Sequence, residues 1–217
     1  MSASLFCVYV KISFFAKKIS FLQKIYIAIG GIGMNNDEIL TIKAALLYIL
    51  NRIPDNKRSI YFIVKTAFYA HEKHLAKWAA PLFDDDICAL PFGPVPSMIY
   101  DILKGARGDK KLYDVRLQEV AKTIRCNNEE FFATEEPDMG WLSVAAVECL
   151  DAAIAEISTK SFNDVYDTTH ESEEYKRARK TFGKRIMNPV QIAKAAGAEE
   201  GVLEYLEEYL QIKAALA

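Results

Sequence analysis

Two histidines and a run of three acids are the residues whose types and spacing come nearest to a metal site. His71 and His74 are three residues apart, which places both on one face of a helix and within reach of a shared ion. Asp84, Asp85 and Asp86 supply the hard carboxylate oxygens that Mg²⁺ and Ca²⁺ prefer. One interpretation of the sequence is therefore a metal-dependent enzyme of unknown substrate.

The surrounding residues do not complete a known metal motif. A zincin helix has its histidines four residues apart with a glutamate between them, whereas Glu72 here is followed by Lys73 and His74. The acidic run lacks the glycine and the distal glutamate of an EF-hand loop. Packed or surface histidines and a turn with three exposed acids explain the same residues, so we expect no bound metal.

Other signs of catalysis or cofactor binding are absent from the sequence. It contains no Gly-x-Ser-x-Gly, no Gly-x-Gly-x-x-Gly and no Gly-Lys-Ser/Thr. Cys7, Cys88, Cys126 and Cys149 are scattered without a Cys-x-x-Cys, which is typical of reduced, packed thiols. A net charge of −2 gives no sign of direct nucleic-acid binding. We expect a cytoplasmic protein with no catalytic residue, no cofactor and no membrane partner.

The elements that would position these residues are mainly α-helical. The predicted fold is a compact helical domain with a small β-hairpin around Asn127–Asn128 and a C-terminal helical extension. Ser161 and Asn188 are predicted N-caps, and Gly105 is predicted to end the helix after the proline-rich corner. Apolar spacing, caps and turns predict helices over 35–53, 58–78, 97–103, 141–157, 172–181, 188–196 and 199–215, with a short one beginning at Ser161.

The most constrained stretch is the corner Pro91–Pro96, which contains three prolines and a glycine between two predicted helices. Proline fixes φ and lacks an N–H, and glycine reaches backbone angles that other residues avoid. Such a stiff apolar corner is either a structural hinge or a docking surface, and composition does not decide between them.

Residues 1–33 differ in composition from the rest of the chain. They contain four lysines and no acid, so the remaining residues have a net charge of −6. Their Phe, Ile, Tyr and Lys have AT-rich codons, and Gly30-Gly31 before Met34 matches a translated ribosome-binding site. We expect residues 1–33 to be a non-native leader before a true start at Met34, in preference to a targeting segment. Residues 34–187 are then the main domain and 188–217 the C-terminal extension.

Several motifs, in this order, resemble the Panacea domain of SocA-like antitoxins. Residues 78–85 end an aromatic helix, residues 92–95 read Phe-Gly-Pro-Val, and residues 169–171 read Thr-His-Glu. The resemblance covers about residues 37–182, within the predicted domain at 34–187. The chain departs from the family at Leu90, where an aromatic residue is usual, and at Cys88, where an acid is common.

The resemblance implies a mainly helical, non-enzymatic antitoxin of a toxin–antitoxin or phage-defence module, which neutralises a cognate toxin by direct contact. The toxin is expected to be encoded by the adjacent gene, and the charge of −6 favours a basic partner. An adaptor that delivers the toxin to a protease is an alternative, as is the metal-dependent enzyme. The residues expected to bind the partner are Phe92, Gly93, Pro94, Val95, Tyr100, Tyr69 and Trp78. The structural motif residues are Ala89, Pro91, Thr169 and His170, and for His170 helix-end capping and partner contact are both open.

Overall fold

The computed structural model describes residues 36–216, and this part of the chain is mainly α-helical, as the sequence predicts. Residues 36–206 belong to one unit, and residues 207–216 are the last turns of the C-terminal helix. Asn35, the first residue of the first predicted helix, and the predicted leader 1–33 lie outside the described residues. The division of the chain at residue 188 stays a prediction.

Two long helices form the core. α1 (Asn36–Arg52) and α2 (Ile60–Trp78) are joined by a 3-10 turn at Asp55–Lys57. Every residue from 44 to 50 in α1 and from 63 to 71 in α2 is buried, so both helices are covered around most of their circumference. α2 packs along α5 (Val144–Thr159) as well as against α1.

The proline-rich corner is a β-hairpin, which the sequence did not predict. β1 (Ile87–Leu90) pairs antiparallel with β2 (Gly93–Pro96), and Pro91–Phe92 is the turn between them. The other edge of β1 pairs with residues 185–187, since Ala89 N donates to Arg185 O at 3.0 Å and Met187 N to Ile87 O at 2.8 Å. Within residues 36–216, β2 is thus an outer strand, where prolines without an N–H are tolerated.

The next segment contains a longer helix than predicted and the predicted hairpin. α3 (Ser97–Arg107) passes through Gly105 and ends at Gly108, whose φ is +91°. Gly105 does not stop the helix; it makes room for Leu112, because an added Cβ would lie 2.5 Å from Leu112 Cδ1. After α4 (Val115–Lys122), β3 (Ile124–Asn127) and β4 (Glu130–Ala133) form the expected hairpin, with a turn at residues 128–129.

Four of the remaining described helices, α5 to α8, start at side-chain caps. α5 begins three residues later than predicted, because Trp141 belongs to a 3-10 turn and Ser143 accepts a hydrogen bond from Ala146 N at 3.0 Å. Ser161 and Asn188 are caps, as predicted. The helices that follow α5 are α6 (Phe162–Glu171), α7 (Glu173–Lys180), α8 (Pro189–Ala195) and α9 (Glu200–Leu216).

Candidate partner-binding site

A lysine lies in the middle of the helix that supports the hairpin. The side chain of Lys65 on α2 has no solvent exposure, and its Nζ donates a hydrogen bond of 2.7 Å to the carbonyl oxygen of Pro94. Burial lowers the pKa of Lys65 to about 7, because water no longer stabilises its charged form. Lys65 is therefore an internal link between α2 and β2.

Gly93 begins β2 at a place where no side chain fits. Its φ of +95° is in the left-handed region that favours glycine. A Cβ on Gly93 would lie 2.6 Å from Lys65 Nζ and 2.7 Å from Thr169 Oγ1. Thr169 is buried on α6, where its hydroxyl donates to Val165 O at 2.8 Å. The Phe-Gly-Pro-Val and Thr-His motifs of the sequence therefore adjoin each other in the fold.

His170 and Tyr175 hold the turn of the hairpin. Nε2 of His170 lies 3.0 Å from Pro91 O, and its Nδ1 lies 2.7 Å from Tyr166 O. The imidazole also stacks on the Tyr166 ring, with 3.7 Å between the ring centroids. The hydroxyl of Tyr175 donates to Leu90 O at 2.7 Å and lies 2.9 Å from His170 Nε2. Of the interactions that His170 makes here, the one with Pro91 ties α6 to the hairpin.

Arg179 completes the attachment of the hairpin. Arg179 lies in the last turn of α7, and its Nη1 donates a hydrogen bond of 3.2 Å to Ala89 O. Four side chains from α2, α6 and α7 therefore bond to backbone carbonyls of the hairpin, namely those of residues 89, 90, 91 and 94. Since each bond orders the backbone of the hairpin, its turn has a fixed position on the helices.

Exposed apolar side chains lie on and beside this fixed hairpin. Phe92, in the turn, is 63% exposed, and Phe182, which follows α7, is fully exposed. Residues 185–187 run antiparallel to β1, so Arg185 lies towards the turn that follows β1, and Phe182 belongs to the bends at residues 181–184 that precede this segment. We use the name hairpin surface for the exposed Phe92, Phe182 and Ile186 together with Lys184 and Arg185.

The chain leading into the hairpin surface is strongly basic. Residues 176–185 contain six basic residues and no acid. Lys176 pairs with Glu173 at 2.8 Å and Arg177 with Glu174 at 2.6 Å, whereas Lys184 and Arg185 form no ion pair with any residue from 36 to 216. The sequence analysis did not identify this basic run, although the run can be seen in the sequence. Nothing in the sequence indicated that Phe182 would be exposed.

Four of the seven residues expected to bind a partner are buried. Gly93 and Pro94 form the contact with Lys65, and Val95 follows them in β2 with 5% exposure. Tyr69 on α2 is 3% exposed. None of these four is therefore open to a partner, and Phe92 is the member of the set that lies in the hairpin surface.

The two remaining residues of that set belong to helices rather than to the hairpin. Tyr100 is half-buried on α3, with Lys104 Nζ 5.4 Å from the centroid of its ring. Trp78 is 46% exposed at the end of α2. Along that helix Trp78 is about 20 Å from Lys65, at 1.5 Å per residue. The structure therefore does not bring Trp78 to the part of α2 that supports the hairpin.

The two histidines considered as metal ligands are packed inside the protein. His71 is 2% exposed, and its ring centroid lies 5.0 Å from that of Phe83. His74 is 8% exposed, and its Nδ1 lies 2.8 Å from Ala80 O. Burial lowers the pKa of both side chains, that of His71 to about 3. Both histidines are thus neutral members of the core.

The acidic run provides the N-terminal cap of α3. Asp85 accepts hydrogen bonds from Ser97 Oγ at 2.8 Å and from Met98 N at 2.8 Å. Burial raises the pKa of Asp85 to about 6. The hydrogen bonds act in the opposite direction and lower this pKa, because they stabilise the carboxylate. The prediction of three exposed acids is wrong for Asp84 and Asp85, which are both half-buried, and holds for Asp86. Asp85 turns inward because the free N–H groups of α3 need an acceptor. Within residues 36–216, no group of three or more His, Cys, Asp and Glu could hold a metal ion.

Comparison with known proteins gives a family match. A family model described as antitoxin SocA-like, Panacea domain, matches residues 63–176, which is more than half of the chain. The matched range includes Lys65, Gly93, Thr169, His170 and Tyr175, and it ends before Phe182 and most of the basic run. No curated protein and no solved structure matches the chain. In the described part of the chain, no helix is both long and apolar enough to cross a membrane.

Proposed function

The chain belongs to the family of SocA-like antitoxins with a Panacea domain, and from this premise we propose that it neutralises a toxin protein by direct contact through the hairpin surface. The toxin is the product of an adjacent gene in a toxin–antitoxin or phage-defence module, and the two proteins meet in the cytoplasm. The buried anchors support the surface, and the exposed residues touch the toxin.

The observation that carries the proposal is the exposure of Phe92 on a firmly attached turn, together with the exposure of Phe182 after α7. Burying a phenylalanine side chain in an interface contributes about 1.5–3 kcal/mol, and aromatic side chains are enriched at the centres of interfaces. Phe182 is fully exposed and Phe92 63% exposed, so both have most of their apolar area free for a partner.

The anchors explain how exposed phenylalanines could bind well. A loop that must order itself loses part of its binding free energy to the loss of conformational entropy. Here Lys65, His170 and Tyr175 already fix the hairpin backbone through Pro94, Pro91 and Leu90. The toxin therefore meets a turn that is preorganised, and more of the interaction energy appears as affinity.

The charge of the hairpin surface indicates the kind of segment that it binds. Lys184 and Arg185 lie beside Ile186, at the end of the basic run. An acidic segment of the toxin with apolar side chains would complement this surface, even though the overall negative charge had suggested a basic partner. Local charges within a Debye length outweigh distant ones at physiological ionic strength.

Co-expression with the product of the neighbouring gene tests the proposal. We expect the neighbour alone to stop growth and this protein to restore it, with a stable complex of the two purified proteins. The double variant Phe92→Asp/Phe182→Asp should lose both effects. Tyr113→Asp is the matched control, because Tyr113 is an 84% exposed aromatic residue outside the hairpin surface.

Three outcomes would speak against parts of the proposal. If the product of the neighbouring gene is harmless alone, or still toxic in the presence of this protein, then this protein is not its antitoxin. If the double variant binds the toxin with unchanged affinity, the hairpin surface is not the binding site, although the antitoxin role still stands. A short half-life of the toxin, dependent on a cellular protease, would favour the adaptor alternative over simple neutralisation.

A further inference from the structure

A cavity of about 320 Å³ lies between α2, α6 and α8. Phe68, Met187 and Ile192 make part of its wall apolar, whereas Tyr69 and Glu72 make another part polar. A space of this size accommodates a small ligand or the end of a long side chain. Among the described residues that line it, Glu72 and Glu171 are acidic and none is basic.

Tyr69 lines this cavity, and its buried hydroxyl has no hydrogen-bond partner among residues 36–216. The side chain is 3% exposed. Burial, and then the charge of Glu72, raise the pKa of Tyr69, so the group stays a neutral phenol. The Thr168 hydroxyl is near enough to oppose that rise, and it donates its own proton to Asp164 O at 2.7 Å. A buried polar group left unpaired costs about 1–3 kcal/mol, which a ligand atom would recover.

Glu72 lies three residues further along α2, on the same face as Tyr69 and at the same cavity. Its carboxyl group has neither a hydrogen bond nor an ion pair in the described part of the chain. The two nearby cations, Lys73 and Lys160, both pair with Glu156, at 2.7 Å and 2.6 Å. Glu72 is half-buried, and the burial of its carboxyl group raises its pKa to about 8, so protonation is favoured at neutral pH.

We infer that this cavity binds an alkylammonium group, with the ammonium between the Tyr69 hydroxyl and the Glu72 carboxylate. The hydroxyl oxygen and the carboxylate both accept hydrogen bonds from an ammonium, and Phe68, Met187 and Ile192 offer an apolar wall to the alkyl stem. A free aliphatic amine and a lysine side chain of another protein both carry this group. The inference goes beyond the proposed toxin binding and does not depend on it.

Binding should release a proton, because Glu72 ionises when the ammonium arrives. The other charged groups that act on Glu72 are Lys73 on its own helix and Glu156 and Lys160 at the end of α5. Glu171 on α6 also lines the cavity, and α8 contributes only apolar residues to its wall. The ammonium itself stays charged up to a pH of about 10. Affinity should therefore rise as the pH approaches about 8 from below.

Calorimetric titration of the full chain with three probes tests the inference. The probes are n-butylamine, cadaverine and Nα-acetyl-lysine N-methylamide, each at about pH 7. We expect saturable binding with release of up to one proton for each ligand, measured by repeating the titration in buffers of different ionisation heat. Binding of the free amines but not of the lysine derivative would identify a free amine as the natural ligand, and the reverse would identify a lysine side chain.

Two variants and one control connect binding to these residues. Glu72→Gln should weaken binding at least tenfold and abolish proton release, and Tyr69→Phe should weaken it several-fold. Glu148→Gln, a carboxylate outside this cavity, should change neither quantity. The inference fails if none of the probes binds saturably, or if Glu72→Gln binds as the wild type does. Should Glu72→Gln not fold, unchanged binding by folded Tyr69→Phe overturns it.

Discussion

Lys65 and Pro94 meet inside the protein, where the Lys65 amine donates a hydrogen bond of 2.7 Å to the Pro94 carbonyl oxygen. The lysine is fully buried, so its amine contacts the hairpin and no solvent. This bond joins the longest buried stretch of α2 to the strand that follows the exposed turn. The hairpin surface therefore depends on an ionisable group in the core.

The buried amine predicts a pH dependence of stability. The pKa of Lys65 is about 7 in the folded protein, against its ordinary value of 10.5, so the unfolded chain binds more protons between these pH values. This contribution to stability is fully present above pH 10.5 and is lost as the pH falls towards 7. Chemical unfolding of wild type and Lys65→Met at several pH values isolates the effect of the lysine from that of other groups.

We expect the wild type to gain stability relative to Lys65→Met as the pH rises, by up to about 1.4 kcal/mol per pH unit. Lys111→Met, which changes an exposed lysine, is the control and should show no comparable slope. A free-energy difference between wild type and Lys65→Met that stays constant with pH would mean that Lys65 keeps an ordinary pKa.

Gly93→Ala should destabilise the fold by two separate effects. The left-handed φ of +95° costs a residue with a Cβ about 1–2 kcal/mol. The clash of the new methyl group with Lys65 and Thr169 adds to this, for a total of about 3 kcal/mol or more. Gly108→Ala separates the effects, since Gly108 has a φ of +91° but no atom within 4 Å of an added Cβ. Equal losses in the two variants, measured by thermal or chemical unfolding, would show that the clash is relieved cheaply.

Tyr175→Phe should loosen the hairpin turn without leaving a cavity. The variant loses the hydrogen bond to Leu90 O and the contact with His170, and we expect a loss of about 1–3 kcal/mol in the free energy of unfolding. Tyr205→Phe changes an exposed hydroxyl and should have almost no effect. Hydrogen exchange of the hairpin amides measures the local loosening; unchanged exchange would mean that the other anchors suffice.

Charge reversal at Lys184 and Arg185 should slow association with the toxin. The double variant Lys184→Glu/Arg185→Glu is expected to lower the association rate about tenfold at low salt, and less as salt screens the charges. The control Lys111→Glu/Lys194→Glu makes the same charge change at exposed positions outside the hairpin surface. Equal rates for the two double variants at low salt would show that only the net charge matters.

Local signals in the sequence were sufficient for much of the helical framework. The caps Ser161 and Asn188 were predictable because a cap depends on neighbours a few residues away. The turn at residues 128–129 was predictable for the same reason. Gly105 was misread, since a helix can keep a glycine where another side chain, here Leu112, needs the space.

The features of the site that were missed depend on distant residues. The first hairpin was not predicted because prolines argue against a strand, and its third paired segment at 185–187 comes much later in the chain. Nothing near Lys65 in the sequence indicates that its amine will donate a hydrogen bond to Pro94 O. The resemblance to a family located the motifs that meet there, but not which of their residues would be exposed.

Attachment of the hairpin through its carbonyl groups has a consequence for its sequence variability. Every amino acid carries a carbonyl, so the bonds from Arg179, Tyr175 and His170 do not require particular side chains at positions 89, 90 and 91. Exchanging the residue at position 92 would leave these bonds in place. A protein built this way can acquire a new specificity by substitution at the turn, while the framework beneath it stays unchanged.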